Sequence, residues 1–485
     1  MLFNSLSFLV FFPVVTLVYF ALPHRWRWAW LLIASCYFYM VFIPVYILIL
    51  FFTIAVDYIA GISIENAQGQ RRKLFLVTSG IANVGVLAFF KYYGFIDSNL
   101  QALANFLHWN YPLATLAILL PIGLSFHTFQ SMSYTIEVYR GRVKAERHLG
   151  IFALYVMFYP QLVAGPIERP QNLLPQFHAE HHFDYERVTD GLKLMAWGFF
   201  KKLVIADRLA TLVNLVYGSP SSYPGITLIL ATVFFAYQIY CDFSGYSDIA
   251  IGAAQVMGIK LMTNFNRPYF SKSLSEFWTR WHISLSSWFR DYLYIPLGGN
   301  RVSQWRWQIN LLIVFLVSGL WHGANWTFVI WGALHGLYML AAIWLKTCAE
   351  WIQRVAKIHL PAPNKFIQVG ITFTLVSFAW VFFRASTLDQ ALYIVTHFFD
   401  NARLVVNPQL WEASIFVGLN RVEMVMAIVA IVVLEAVQVL QRRGSGRVIL
   451  ARQPELVQWG AYYLLVMTIL LFSVYEAREF IYFQF

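Results

Sequence analysis

Two histidines, His322 and His335, lie in a long uncharged stretch of the sequence. They fall within residues 307–345, where 39 consecutive residues include no Asp, Glu, Lys or Arg. An apolar setting favours the neutral imidazole, whose lone pair can take a proton from an attacking hydroxyl. His322 is therefore a candidate general base, although a histidine hydrogen-bonded across packed helices fits the sequence equally well. His335 follows 13 residues later, on another face of a continuous helix, and for it a packing role is favoured.

His282 precedes His322 by 40 residues and is a further candidate. It lies at the edge of an apolar stripe with helical spacing. It could therefore hold a substrate or orient a partner group, or it could be an ordinary histidine at the membrane interface.

Two carboxylates, Asp242 and Asp248, come near the end of a long apolar run in the segment YCDFSGYSDIA. Carboxylates at membrane depth usually pair with a cation or line a pathway. For Asp248 we favour a structural ion pair with Arg280 or Arg267. Gly245 between the two carboxylates predicts a break in the helix.

Several familiar kinds of active site are missing. The polar loop FHAEHHFD contains His178, His181 and His182, but their spacing fits no common zinc pattern, so no metal site is predicted. The motifs GxSxG, GxxxxGK[ST], HExxH and HxxxxD do not occur. Serine hydrolases, P-loop proteins, zincins and soluble-type acyltransferases therefore lose support.

The composition predicts an all-α polytopic membrane protein. Hydrophobic residues make up 59% of the 485 residues and charged residues only 12%, whereas soluble domains carry about a quarter. The net charge of +11 is best explained by cytoplasmic loops and anionic lipid, and no nucleic-acid partner is expected. Three cysteines form no disulfide framework. The first apolar run, Leu2 to Leu22, lacks a basic region before it, so a retained first helix is expected.

About eleven to thirteen spanning or re-entrant helices are predicted within a single membrane domain, residues 1–485. Their expected positions are 5–23, 29–60 (broken at Pro44), 74–95, 113–136, 150–165, 192–217, 226–257, 309–320, 324–345, 366–383, 422–440 and 457–475. Prolines and glycines interrupt FYPQLVAGPIERP, and such breaks inside a membrane indicate an internal site. An amphipathic helix is predicted to start at the capping box of Ser273 and Glu276 and to end at Pro296, in the interface or against the bundle wall.

Five blocks of the sequence together resemble the membrane-bound O-acyltransferase family. They read LPIGLSFHTFQSMSY, PQLVAGPIERP, YCDFSGYSDIAIG, NRPYFSKSLSEFWTRWHISLSSWFRDYLYIPLGGNR and GLWHGANWTFVIWGALHG, and they span about residues 85–340. The resemblance is to the bacterial branch that contains alginate O-acetyltransferase and the D-alanyl transferase of teichoic acids. It implies helices around a central tunnel, with interfacial amphipathic helices beside them.

The resemblance also implies site residues. His322 falls on the histidine of the family's WHG block, the expected catalytic residue, and His282 on that of its WHISLS block. Other matching positions are expected to bind substrate: Asp242, Asn266, Arg280, Trp281, Trp321 and Asn325. Arg290 and Asp291 match as weaker candidates. From the sequence alone, Trp321 and Trp326 are expected to shield the site, and Gly323 to let backbone or substrate approach closely.

The function that the resemblance implies is acetyl transfer from a cytoplasmic donor, expected to be acetyl-CoA, with no bound cofactor and no metal. The acetyl group would cross the bacterial inner membrane toward hydroxyls of an exported polysaccharide such as alginate, with cellulose or peptidoglycan as alternatives. A periplasmic esterase-like acetyltransferase, a polysaccharide biosynthesis and export complex, and membrane lipid are the expected partners. Basic residues in GFFKKLVIADR (Lys201, Lys202 and Arg208) could attract donor phosphates, although anchoring on the cytoplasmic side is favoured.

A transporter or flippase for a lipid-linked saccharide is the alternative from another class. It would predict paired charges near the membrane midplane and an internal repeat, and neither is visible in the sequence.

Overall fold

The chain is helical throughout the part that the computed structural model describes, which is residues 1–111, 119–357, 363–400, 414–444, 446–474 and 479–481. No strand occurs in these ranges, which confirms the all-α prediction. The start of the predicted span 113–136, residues 401–413 between two of the predicted helices, and the last residues of the chain lie outside them.

Seven helices in the described ranges are long and apolar enough to cross a membrane. They cover Pro44–Asn66, Gly69–Phe106, Gly225–Val256, Trp326–Ala356, Lys365–Arg384, Arg421–Leu440 and Glu455–Phe472. The other apolar segments form shorter or interrupted helices, such as Leu6–Ala21. The predicted total of eleven to thirteen segments, which included re-entrant ones, and the central tunnel stay predictions.

The described residues form two compact units, and the first contains residues 1–198 and 246–263. Its helices are α1 (Leu6–Ala21), α2 (His24–Met40), α3 (Ile47–Asn66), α4 (Gly69–Leu87), α5 (Tyr93–Phe106), α6 (Leu124–Tyr139), α7 (Leu149–Met157), α8 (Tyr159–Leu162), α9 (Pro170–His178) and α10 (Tyr185–Phe199). The expected interruptions at Pro44 and in FYPQLVAGPIERP are both present. Pro160 lies in the first turn of α8, where a missing N–H leaves no hydrogen bond unmade.

The second unit contains the described residues from 199 to 245 and from 264 to 481. Its helices are α11 (Asp207–Gly218), the first part of α12 (Gly225–Val256), α13 (Leu274–Arg280), α14 (Ile283–Phe289), α15 (Gln304–His322), α16 (Trp326–Ala356), α17 (Lys365–Arg384), α18 (Leu388–Thr396), α19 (Arg421–Leu440), α20 (Gly446–Ala451) and α21 (Glu455–Phe472). The predicted break at Gly245 is wrong, because α12 runs through it as one helix of 32 residues. A single glycine costs a helix only about 1 kcal/mol, which packing along a long buried helix overrides.

The predicted amphipathic helix is instead two short helices, α13 and α14. Ser273 caps the start of α13 as expected, since its side chain accepts a hydrogen bond from the Glu276 N–H. The chain then turns at His282, whose backbone is left-handed (φ 42°, ψ 56°). The apolar stripe is buried on both sides of this turn, at Leu274, Phe277, Trp281, Leu285, Trp288 and Phe289. The segment therefore packs inside the second unit.

The antiparallel pair α15 and α16 approaches closely at two glycines. A Cβ atom added to Gly319 would lie 2.3 Å from the Phe328 carbonyl oxygen, and one added to Gly332 would lie 2.3 Å from the Phe315 carbonyl oxygen. Only glycine permits this approach. It places the end of α15 beside the first turns of α16.

Candidate active site

His322 is the last residue of α15 and is 4% exposed. Three aromatic rings contact its imidazole: Trp321 at 4.9 Å between centroids, Trp331 at 4.9 Å and Phe383 at 5.2 Å. Gly323 follows as the cap of the helix, and a Cβ there would lie 2.1 Å from the Phe328 ring. Gly323 thus permits a close approach, but the group that approaches is the Phe328 side chain and not backbone, and approach of a substrate stays a prediction.

His282 lies in the turn between α13 and α14 and is 1% exposed. Its ring meets Phe243 edge to face at 4.6 Å and contacts Trp321 at 6.2 Å. Burial lowers the pKa of His282 to about 3, so the imidazole is neutral at physiological pH. Because Trp321 contacts both His282 and His322, the structure groups the two expected catalytic residues around one indole.

Asn264 holds the turn at His282. Its side-chain oxygen accepts hydrogen bonds from the Ser284 Oγ (2.6 Å) and backbone N–H (3.3 Å), and its carbonyl accepts from the Ile283 N–H (2.9 Å). Asn264 is fully buried. The sequence prediction chose Asn266 in the same NFNRP segment, but Asn266 is exposed and its side chain contacts Arg267. Nothing in the local sequence distinguishes the two asparagines, because the contact is made with residues 20 positions away.

Two further predicted residues have structural contacts. Asn325 caps the start of α16 by accepting the Thr327 N–H, and it donates to the Ser386 carbonyl. Arg280 forms an ion pair at 2.5 Å with Glu276, one turn earlier on α13. Arg280 therefore pairs with Glu276 and not with Asp248, which had been suggested as its partner.

Tryptophans provide most of the site's wall. Trp281, also predicted, is buried and packs on Phe277 and Trp380, with ring centroids 5.5 and 5.0 Å away. Trp326 was expected to shield His322 but is 52% exposed, so this expectation is wrong. Trp331 takes that place, one turn further along α16, because the side chain at the start of the helix points outward.

Asp242 belongs to a buried ionic cluster. Lys202 Nζ lies 2.5 Å from an Asp242 oxygen and 2.9 Å from an Asp207 oxygen, and the other Asp242 oxygen accepts the Ile481 N–H. Lys201 is also buried and donates to Ser244. Because both lysines are buried, the expectation that Lys201 and Lys202 anchor the chain at the cytoplasmic surface is wrong. Asp242 thus has a structural ion pair of the kind that was favoured for Asp248.

His335 is fully buried on α16, with its ring 5.0 Å from the rings of both Trp278 and Trp331. Trp331 therefore contacts His322 and His335. Trp278, Trp331 and Phe383 were not predicted as site residues. The only signal that could have found Trp331 is its spacing of four residues from His335, which places both on one face of a helix.

The histidines of the polar loop have separate partners. His178 Nε2 lies 2.7 Å from Glu146, and His181 Nε2 lies 2.8 Å from the Gln176 carbonyl oxygen. Among the residues that the structure describes, no three His, Cys, Asp or Glu side chains are grouped to hold a metal ion.

The fold and the site together define a class, namely an all-helical, multi-pass membrane protein in which buried histidines are grouped with aromatic rings. Such surroundings are typical of enzymes that keep water away from a reactive bond. Comparison with known proteins then identifies the family. The sequence model of the MBOAT, membrane-bound O-acyltransferase family matches residues 146–380. Together with the relatives described next, this match shows that the chain belongs to the MBOAT family and is an O-acyltransferase.

Three relatives illustrate the range of similarity. A probable alginate O-acetylase of Pseudomonas aeruginosa is 41% identical over 396 residues, covering 81% of this chain and 73% of the relative. A peptidoglycan O-acetyltransferase of Helicobacter pylori is 36% identical over 428 residues, covering 81% of this chain and 79% of the relative. A teichoic acid D-alanyltransferase of Bacillus subtilis is 28% identical over 286 residues, covering 54% of this chain and 68% of the relative.

Proposed function

We propose that this chain transfers an acetyl group from acetyl-CoA on the cytoplasmic side of the bacterial inner membrane toward hydroxyl groups of an exported polysaccharide. The observation that carries the proposal is the burial of His322 at the end of α15 among Trp321, Trp331 and Phe383. A buried imidazole surrounded by aromatic rings can accept a proton while water is kept from a thioester.

In the proposed reaction, His322 takes the proton of the acceptor hydroxyl while the hydroxyl oxygen bonds to the acetyl carbonyl carbon. The carbon–sulfur bond breaks, and the leaving thiolate of CoA receives the proton from the imidazolium. Neutral His282, on the other side of the shared contact with Trp321, offers a second polar group to orient the acceptor. Covalent acetylation of His322 is the alternative route. It predicts that a labelled acetyl group stays attached to the protein when labelled donor is supplied without acceptor, whereas direct transfer predicts no labelled protein.

The relatives support the acetyl group and the polymeric acceptor. The names of the P. aeruginosa and H. pylori proteins describe O-acetylation of alginate and of peptidoglycan. The greater identity and the several alginate O-acetylases among the matches favour alginate or a similar exopolysaccharide as the acceptor here. A periplasmic acetyltransferase that completes the transfer, within a polysaccharide export complex, is part of the proposal.

The proposal is tested by replacing His322 with alanine in the full chain. Loss of a general base lowers turnover about 100- to 10,000-fold, so acetyl ester on the exported polysaccharide is expected to disappear while the protein level stays normal. His397→Ala, at a partly exposed histidine that follows α18, is the matched control and should leave acetylation unchanged. Wild-type acetylation by the His322→Ala protein would overturn the proposed role of His322.

A direct assay separates the enzyme from a flippase. Purified wild-type protein should release CoA from acetyl-CoA, slowly with water and faster with a hydroxyl acceptor, and His322→Ala should not. Transport of a lipid-linked saccharide without any release of CoA would contradict the proposal.

A further inference from the structure

Three ring side chains beside the candidate active site have nitrogen atoms that find no hydrogen-bond partner within the described ranges of the chain. Trp278 on α13 and Trp331 and His335 on α16 contact one another, with ring centroids 5.0 to 5.8 Å apart. The Nε1 atoms of both tryptophans and both ring nitrogens of His335 are buried, and none has a partner among the described residues. We call these three residues the nitrogen cluster.

Such a group is unusual inside a folded protein. Buried polar atoms are nearly always hydrogen-bonded, and an unmade hydrogen bond in a low-dielectric setting is costly. His335 and Trp331 are both fully buried, so bulk water does not reach them. The nitrogen cluster therefore has donors that are available to a bound group.

The chemistry of the cluster restricts what that group can be. An indole N–H only donates, and a neutral imidazole supplies one donor and one acceptor, so donors outnumber acceptors by three to one. A carbonyl oxygen, with two lone pairs and no proton, matches this excess better than a hydroxyl or water, which brings donors of its own. The other rings in contact with His335 are Phe277, Phe315 and Tyr338, so the group is expected to be neutral.

We propose that Trp278, Trp331 and His335 bind the carbonyl oxygen of the acyl group that is transferred. The inference rests on the proposed function, because it assigns a place to the donor's thioester. Trp331 links the cluster to the reaction site, since its ring lies 4.9 Å from His322 and 5.0 Å from His335. Donors on this oxygen hold the thioester and stabilise the negative charge that develops there as the hydroxyl attacks.

A purely structural role for His335 predicts a different response to mutation. If the ring only fills space, an apolar ring of similar size removes unpaired polar atoms and leaves substrate binding unchanged. If it binds the acyl oxygen, the same substitution removes a ligand contact. His335→Phe is therefore expected to unfold at the same temperature as wild type or a higher one, while it loses recognition of the carbonyl group.

The experiment measures binding of two stable donor analogues to the detergent-solubilised full chain. One is acetyl-oxa(dethia)-CoA, an ester that keeps the carbonyl oxygen, and the other is ethyl-oxa(dethia)-CoA, the ether that lacks it. Wild type should bind the ester about tenfold more tightly, as expected for one or two hydrogen bonds. His335→Phe should bind both with nearly equal affinity, and Trp278→Phe should show an intermediate preference.

Trp344→Phe is the matched control, because Trp344 lies on the same helix but is half-exposed and outside the cluster. It should keep the tenfold preference. Equal binding of the two analogues by wild type would overturn the carbonyl site while leaving acetyl-CoA as the donor. An unchanged preference in His335→Phe, or in Trp278→Phe if the first variant does not fold, would also overturn it. Failure of wild type to bind either analogue would remove the donor itself, and the proposed function with it.

Discussion

The ring of Trp331 meets the ring of His322 edge to face, with centroids 4.9 Å apart and planes inclined at 85°. The two residues belong to different helices, α16 and α15, so their contact depends on how closely these helices approach. Gly319 and Gly332 permit that approach, because each lies against a backbone carbonyl of the other helix. The orientation of the proposed base is thus set by two residues that have no side chain.

Replacing Gly332 with alanine should separate the two helices. The added Cβ would lie 2.3 Å from the Phe315 carbonyl oxygen, and backbone cannot move aside as a flexible side chain can. We expect a loss of about 1–3 kcal/mol in the free energy of unfolding and at least a tenfold loss of turnover. Thermal unfolding in detergent and release of CoA measure the two effects.

Gly370→Ala is the control for this substitution. Gly370 lies within α17, and nothing is within 4 Å of the position that its Cβ would take. Alanine in a helix interior is favoured over glycine by about 0.5–1 kcal/mol, so this variant should be slightly stabilised and fully active. If both variants behaved alike, the close approach would not be what orients His322.

Asn264→Ala should weaken the turn that carries His282. The substitution leaves the Ser284 hydroxyl and N–H without their buried acceptor, which costs about 1–3 kcal/mol. The left-handed backbone of His282 then loses a support, and turnover should fall with it. Asn266→Ala, at the exposed neighbour, should change stability by less than about 0.5 kcal/mol. Equal effects of the two substitutions, measured by thermal unfolding and turnover, would contradict the assignment of Asn264.

The sequence contained enough to place His322 but not to shape its surroundings. Long apolar segments predict helices, and the all-α fold is confirmed. An uncharged stretch makes a histidine conspicuous, but only the family resemblance favoured a catalytic over a packing role for His322, and that role stays a prediction. The turn at His282 could not be predicted, because the apolar stripe keeps helical spacing through Phe277, Trp281 and Leu285. A contact with Asn264, which periodicity does not encode, breaks the helix there.

The ionic cluster of Lys202, Asp207 and Asp242 also could not be predicted, because it depends on contacts between residues that are distant in the sequence. Lys202 and Asp242 are 40 residues apart, and a lysine beside apolar residues is as typical of a membrane surface as of a buried pair. Likewise, Gly245 predicted a break because glycine weakens an isolated helix. Packing around α12 outweighs this effect, and the helix continues through Gly245. Contacts distant in sequence explain each of these differences.

Lys202→Met tests whether this lysine is structural or binds donor phosphates. Removing one partner of a buried ion pair leaves an uncompensated charge, here on Asp242 and Asp207, at a cost of about 3–5 kcal/mol. We expect a large drop in the unfolding temperature and little change in KM for acetyl-CoA in the folded fraction. Lys346→Met, at an exposed lysine 3.9 Å from Glu350, should have almost no effect on stability. A raised KM at unchanged stability would instead indicate donor binding by Lys202.

Glu168 should make the stability of the protein depend on pH. Its side chain is fully buried and accepts hydrogen bonds from the Met262 N–H and from Asn172, and burial raises its pKa from 4.5 to about 7. Between these two pH values the folded protein keeps a proton that the unfolded chain has released, so the free energy of unfolding falls as the pH rises through this window. The expected fall is about 3 kcal/mol, and Glu168→Gln, which carries no charge, should lack it. Unfolding temperatures from pH 4.5 to 7.5 measure the difference, with Glu350→Gln, at a largely exposed carboxylate, as the control. Parallel curves for wild type and Glu168→Gln would show that Glu168 is ionised in the folded protein across this range.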